Sequence, residues 1–350
     1  MAEKIRVGVV GLGMGKGHAR GYLAHPQAEL VALCDMSPEV LEKANEEFRV
    51  EKTYTDMDKM LKEAELDAVS IATPNAFHAP LTIAALKAGL HVLCEKPMAM
   101  SVKEAGKMQE AAEKAGKNLM INFSYRFSPM SFALKQQVEA GVIGDIYFGR
   151  TVWHRRRGMP KFGGWFGTKS LSGGGPLIDL GVHRLDLALW LMDYPEPISV
   201  SGSAYNVIAA KRARLERKHF DVEDCAAGLI KFADGQTLIL EASWALNIRE
   251  KEHMITSLYG TEGGLVQKNT NGGYEFTAEI YTEENGSLFT KTLDGTTMGV
   301  PTSYWEFIDS ILEKRPPLAT GEQGLKVMKI LEGIYKSSRT GKEVRYSQKA

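Results

Sequence analysis

Through the first third of the chain, short apolar, β-branched runs alternate with amphipathic stretches. Residues 5–10, 29–34, 67–72, 91–94 and 118–121 read as buried strands. Residues 18–24, 80–88 and 101–115 carry helical spacing, and Pro38 and Asp56 open two further helices. The punctuation agrees with these periods. Ser37-Pro38 puts a capping residue before a proline at the first helical position. Ser101 and Glu104 form a capping box, while Gly89 and Gly116 stand where helices end. Strand and helix taking turns in this way predict a doubly wound parallel sheet over residues 1–122.

After Asn122 the texture changes. A helix over 131–140 ends at Gly141, and an extended run covers 145–157. A Gly/Pro-rich loop spans 158–176, a length that usually serves function. Residues 177–192 are helical, followed by strands at 198–205, 226–232, 237–244, 254–259 and 274–281. Ala233-Asp234-Gly235-Gln236 is a hairpin turn between the second and third of these. Helices over 303–313 and 325–337 close the chain. The pattern predicts a second α/β domain, 123–350, built on a large, mostly antiparallel sheet.

Charge narrows the partners. The 350 residues carry 43 basic and 43 acidic side chains, so no global field steers the protein to nucleic acid or an anionic membrane. A small molecule or another copy of the chain is expected instead. Three widely spaced cysteines, Cys34, Cys94 and Cys225, suit neither a disulfide framework nor a zinc site. A reducing cytoplasm fits them. Residues 1–4 lack a signal peptide's apolar region, and no apolar run has the eighteen or so residues of a membrane span.

Gly11-Leu12-Gly13-Met14-Gly15 follows the first strand and opens a helix, the order a dinucleotide site requires. Gly11 permits a tight turn, and Gly13 lets the backbone approach a pyrophosphate at the helix N-terminus. A third fingerprint glycine would fall at Lys16, and Gly15 and Gly17 flank it. Asp35 ends the second strand 24 residues after Gly11, near the spacing of a ribose-binding acid. A carboxylate there accepts bonds from ribose hydroxyls and repels a 2′-phosphate, which favours NAD over NADP.

Three further constellations could carry chemistry. Lys96, in Glu95-Lys96-Pro97, sits at the carboxyl end of a strand, where open α/β sheets bind ligands. It could polarise a substrate hydroxyl, or cap the sheet at the surface. Asp179 and His183 are four residues apart, on one helical face, with Asp186 three further on. A histidine oriented by a carboxylate can accept a proton near neutral pH. The same residues could serve as a helix-start acid and a packed core histidine, and a metal site lacks further ligands. Trp153, Arg155 and Arg157 share one strand face, Tyr125 and Arg126 lie near the domain junction, and Trp165 stands in the long loop. Aromatic faces and planar polar groups of this kind bind sugars, and they also build cores and ion pairs. The basic run from Lys211 to Lys218 reads as a solvated loop.

The segments 69–78 (VSIATPNAFH), 88–97 (AGLHVLCEKP) and 173–183 (GGGPLIDLGVH) resemble, in order, signatures of the Gfo/Idh/MocA oxidoreductases, the glucose–fructose oxidoreductase and inositol dehydrogenase family. The resemblance implies a Rossmann domain and a second domain whose open-faced sheet often makes homodimer or homotetramer contacts. It implies NAD(P) and a sugar or cyclitol substrate. By position Lys96, Asp179 and His183 match the catalytic group. Gly11, Gly13, Asp35, Thr73, Asn75, His78 and Glu95 match cofactor-contacting positions, and Trp165 resembles a tryptophan near the nicotinamide. Lys16 departs from the pattern.

The expected activity is reversible, NAD-linked oxidation of a secondary hydroxyl of a sugar, glycoside or cyclitol. Lys96 and His183 are expected to face one hydroxyl. An NAD-dependent glycoside hydrolase working through a keto-sugar, and a non-catalytic NAD or sugar sensor, are the alternatives.

Overall fold

The computed structural model describes residues 4–347, and these fall into two compact units. Among the described residues the first comprises 4–123 and 301–328, the second 124–300 and 329–347. Six parallel strands form the first sheet: β1 (Ile5–Val10), β2 (Ala28–Cys34), β3 (Lys52–Tyr54), β4 (Ala68–Ile71), β5 (His91–Cys94) and β6 (Leu119–Ile121). Their order is β3-β2-β1-β4-β5-β6, the Rossmann arrangement, with the direction of winding reversing between β1 and β4. Val7, Val9, Val69, Ile71, Val92 and Leu93 are wholly buried, as strands covered on both faces require.

The local signals explain the helices of this unit. Ser37 accepts from the Val40 N–H at 3.4 Å, and Asp56 from the N–H groups of Asp58 and Lys59. Ser101 accepts from Glu104 N–H at 3.2 Å, and the Glu104 carboxylate reaches back to the Met100 N–H. Gly116 takes the left-handed cap conformation, at φ +61°.

The closing helix Ser303–Leu312, expected in the second domain, folds with the first unit. The reason is steric. A Cβ at Gly21 would lie 2.3 Å from the Tyr304 ring, so only glycine leaves room for it. The same ring meets His18 at 4.7 Å, and His25 Nε2 lies 3.1 Å from Asp309. The chain then continues into the helix Gly321–Thr340, whose last residues belong to the second unit.

The second unit is built on nine strands: β7 (Ile146–Arg155), β8 (Pro197–Tyr205), β9 (Cys225–Phe232), β10 (Thr237–Ser243), β11 (Glu252–Gly260), β12 (Gly263–Asn269), β13 (Phe276–Glu284), β14 (Ser287–Leu293) and β15 (Val344–Arg345). Their order is β14-β13-β12-β11-β7-β10-β9-β8-β15. Only the β7–β10 pairing is parallel; the others are antiparallel. The β9–β10 turn closes as expected, with Gly235 at φ +86°.

Four local features differ from expectation. The loop 158–176 contains two short helical turns, Trp165–Gly167 and Lys169–Ser172. The basic run is the helix Ile208–Glu216, not a loop: Ala209 and Ala213 are buried, and the charged residues form its solvent side. Residues 177–192 open with a π-helical turn, Leu177–Gly181, before the α-helix Val182–Leu191. Strand β7 stops at Arg155, two residues short of Arg157. Among the described residues no helix is long and apolar enough to cross a membrane.

Candidate active site

In the first unit the loops after β1, β2 and β4 converge at the carboxyl edge of the sheet. Gly11 is at φ +85°, and a Cβ there would lie 2.6 Å from the Ala72 carbonyl oxygen, so glycine is obligatory. Gly15 supplies the close helix–strand approach that the fingerprint assigns to its third glycine. A Cβ on Gly15 would meet Val9 Cγ1 at 2.8 Å, and Lys16 is thereby released from that role. At Gly13 a Cβ would meet nothing within 4 Å, leaving the open space that a pyrophosphate needs above the helix N-terminus. Met14 beside it is largely exposed.

Asp35 is fixed by its neighbours. Its Oδ2 accepts from Leu12 N–H at 2.8 Å and its Oδ1 from Ser37 N–H at 2.9 Å. It borders a cavity of about 290 Å³, lined also by Val10, Met36, Thr73, Pro74, Phe77 and Leu81. No lysine or arginine lines this cavity, and Asp56 adds a second carboxylate. Thr73 Oγ1 is buried without a hydrogen-bond partner within the protein. An apolar slot with a fixed carboxylate and an orphaned hydroxyl has the groups that the adenosine half of NAD needs, Asp35 being the residue that could hold a ribose.

The neighbouring Glu95, Asn75 and His78 are buried. Glu95 Oε1 lies 2.9 Å from His18 Nε2 and accepts from Asn122 Nδ2 at 2.6 Å, while Oε2 accepts from the Lys96 N–H at 3.1 Å. Burial raises its pKa, but the bond and charge of His18, then Lys96 and Asn122, outweigh that and hold it at about 2. His18 Nδ1 continues the chain to Ser70 Oγ at 3.0 Å, and Ser70 Oγ lies 2.5 Å from the Tyr22 hydroxyl. The Glu95 side chain is thus turned into the interior and sets the strand end that carries Lys96. His78 ties two loops together. Its Nδ1 lies 2.7 Å from the Pro97 carbonyl oxygen and its Nε2 2.8 Å from that of Thr73. Burial pushes its pKa down despite both contacts.

In the second unit the π-helical turn carries Asp179, a kind of distortion found frequently at functional sites. Asp179 Oδ2 accepts from Trp244 Nε1–H at 3.0 Å. His183, 9% exposed, packs against Tyr125 at 5.0 Å and Trp153 at 5.8 Å between ring centroids. Asp186 does not join them: it binds Arg126 Nε at 2.9 Å and also Tyr194, all three buried. Arg184 lies 5.9 Å from the Tyr125 ring and donates to Thr256 Oγ1 at 2.7 Å and Gln267 Oε1 at 3.2 Å. Burial brings its pKa down to about 10.

Trp153 Nε1–H donates to Glu252 Oε2 at 2.8 Å, and Arg155 pairs with Oε1 of the same carboxylate at 3.0 Å. Asp179 adds its charge to those holding Arg155 protonated. Arg157 is exposed and is spent on Asn247 Oδ1 at 2.6 Å and on carbonyl oxygens. Trp165 is half-buried and stacks on Phe166 at 3.8 Å. Tyr274 joins the group, donating to Glu252 Oε1 at 2.9 Å, and it, Trp244 and Glu252 are the residues that sequence reasoning misses. Trp244, at the end of an alternating strand, offered the one usable signal.

Comparison with known proteins identifies the family. Residues 5–123 match the model of the Gfo/Idh/MocA oxidoreductase family's NAD-binding Rossmann fold, and 135–346 that of its C-terminal alpha/beta domain. The chain is 35% identical over 353 residues to D-glucoside 3-dehydrogenase of Escherichia coli K12, covering 98% of each. It is 28% identical to myo-inositol 2-dehydrogenase of Thermotoga maritima, covering 91% of this chain and 92% of that one. Levoglucosan dehydrogenase in complex with NADH superposes with a TM-score of 0.87 at 25% identity, over 99% and 100% of the two chains. The first unit is therefore an NAD-binding domain, and the protein is an NAD-dependent oxidoreductase that belongs to the Gfo/Idh/MocA family.

Proposed function

We propose that the protein oxidises, reversibly, a secondary hydroxyl of a sugar, glycoside or cyclitol. The observation that carries this is the placement of Asp179 and His183 four residues apart on one helical stretch, Asp179 bonded by Trp244 and His183 packed against Trp153 and Tyr125. The 98% mutual coverage with D-glucoside 3-dehydrogenase supports a glucoside-like pyranose as substrate. Bound NAD supplies the hydride acceptor. His183 takes the hydroxyl proton as the carbon loses its hydride, and Asp179, fixed by Trp244, orients His183 and the substrate. Lys96, beyond the carboxyl end of β5 in the first unit, is the residue proposed to orient and acidify a substrate hydroxyl. Tyr125 and Trp153 offer the apolar wall against which a pyranose face rests.

Arg155 is already paired with Glu252, so the site favours a neutral polyol over an acidic sugar. No observation favours hydrolysis or a sensor role. Three unpaired cysteines are consistent with a reducing cytoplasm, and the second unit's sheet is the surface proposed for a homodimer or homotetramer. The test is a screen of sugars, inositols and glycosides with NAD and NADP, followed by the absorbance of the reduced cofactor. With the best substrate, His183→Ala should lose roughly 10²- to 10⁴-fold in kcat. Wild-type turnover by that variant would overturn the role of His183.

A further inference from the structure

Tyr274 stands in the connection between β12 and β13, and 56% of it is exposed. An exposed aromatic on a turn would ordinarily be mobile. This one is held at its far end. Its hydroxyl donates to Glu252 Oε1 at 2.9 Å and accepts from Arg155 Nη2 at 2.8 Å. The turn beneath it is pinned as well. Asn269 Nδ2 donates to the carbonyls of Gly273, at 3.0 Å, and Glu252, at 3.1 Å, while its Oδ1 accepts from Met254 N–H at 2.8 Å.

The position of the ring gives this rigidity a use. Tyr274 meets Trp153 edge-on at 6.1 Å, and Trp153 is 5.8 Å from His183. Tyr274 is therefore the next ring outward from the wall that lines the reacting centre. Its hydroxyl end is already fixed and more than half of the residue is exposed, the condition under which an aromatic residue binds at little further loss of freedom. The surroundings are electrically balanced, because Arg155 and Glu252 neutralise each other at the hydroxyl end. A charged substituent gains nothing there, whereas the C–H face of a neutral ring meets the negative face of the phenol.

We propose that Tyr274 is the platform of a second subsite, which binds a neutral ring attached to the sugar being oxidised, either another pyranose or an aryl aglycone. The protein then prefers glycosides to free monosaccharides. This rests on the assignment of His183 to the reacting hydroxyl, and two separate readouts keep the claims apart. The first is kcat/KM with NAD for D-glucose, cellobiose and 4-nitrophenyl β-D-glucopyranoside, in wild type, Tyr274→Ala and Tyr274→Phe. Tyr274→Ala should lower the preference for the two glycosides over glucose roughly three- to tenfold. Tyr274→Phe, which keeps the face and loses both hydroxyl bonds, should lower it less.

The second readout is calorimetric titration of the NADH-loaded protein with cellobiose, which needs no turnover. Weaker binding by Tyr274→Ala without any oxidation would leave the platform standing and overturn the oxidation. An unchanged glycoside-to-glucose ratio in an active Tyr274→Ala would overturn the platform and leave the oxidation standing. Neither binding nor oxidation of either glycoside by the wild type would also overturn the platform.

Discussion

Replacing Glu95 by Gln should remove a pH-dependent share of the first unit's stability. The carboxylate is 9% exposed, and its pKa is held at about 2 against an ordinary value of 4.5. A depressed acid contributes stability that is fully present above its unfolded pKa and is lost as pH falls through the folded one. The window here runs from about 4.5 down to about 2. That gap corresponds to roughly 3 kcal/mol at neutral pH, of which somewhat under half is gone by pH 3.5. Glu95→Gln, isosteric and uncharged, should therefore be less stable than the wild type by up to about 3 kcal/mol at pH 7, with the difference shrinking by somewhat under half at pH 3.5. Urea titrations at pH 7, 5 and 3.5 would measure it. Hydrogen exchange of peptides covering β1 and β5 would follow the first unit by itself. A difference that stays constant across this range would refute the reasoning, because only a group that titrates differently in the folded and unfolded chain can produce the narrowing.

The two glycines of the phosphate turn should separate stability from binding. Gly15→Ala forces a Cβ to within 2.8 Å of Val9 Cγ1, and should lose about 1–3 kcal/mol in thermal or urea unfolding. Gly13→Ala meets nothing in the free protein, so its unfolding should hardly move while NAD binding by calorimetry weakens; the opposite pattern would exclude the proposed cradle. Asp35→Ser removes a carboxylate that repels a 2′-phosphate and binds ribose hydroxyls. It should lower kcat/KM for NAD roughly 10- to 100-fold and shift the NADP:NAD ratio upward, as judged by initial rates with each cofactor. An unchanged ratio would place the ribose elsewhere.

Five of the six strands of the first sheet were legible, because β1, β4, β5 and β6 are almost wholly buried and their turns carry residues with a local reason; the edge strand β3, three residues long with Thr53 exposed, gave no apolar run to read. Gly11, Asp35, Ser37 and Gly116 all signal in their own local sequence. The second sheet was harder. Strand β14, Ser287–Leu293, is exposed along almost its whole length and lacks the alternation that marks a half-buried strand. Strand β12 begins with Gly263-Gly264 and ends in polar residues, so it resembled a loop. The helix Ile208–Glu216 was hidden by the charge on its outer side, since only two alanines face inward. Within the site, Asp179 and His183 were visible by their spacing, but Glu252 and Tyr274 were not. They come from β11 and the β12–β13 connection and meet Arg155 only through the sheet register, which pairs Glu252 with Arg155 across strands. Glu95 was visible as a motif residue, while its bond to His18, 77 positions away, depends on the sheet order.

The return of residues 301–328 to the first unit bears on how this protein can be recombined. A graft that moved only 1–123 onto another chain would leave behind the phenol that fills the notch at Gly21, together with the indole and carboxylate that flank His25. It would also strip the Ala319 carbonyl oxygen from the Ile121 N–H, uncovering the edge of β6. The nucleotide-binding module is encoded in two instalments. A chimaera that exchanges cofactor preference must carry both, with three splice points instead of one.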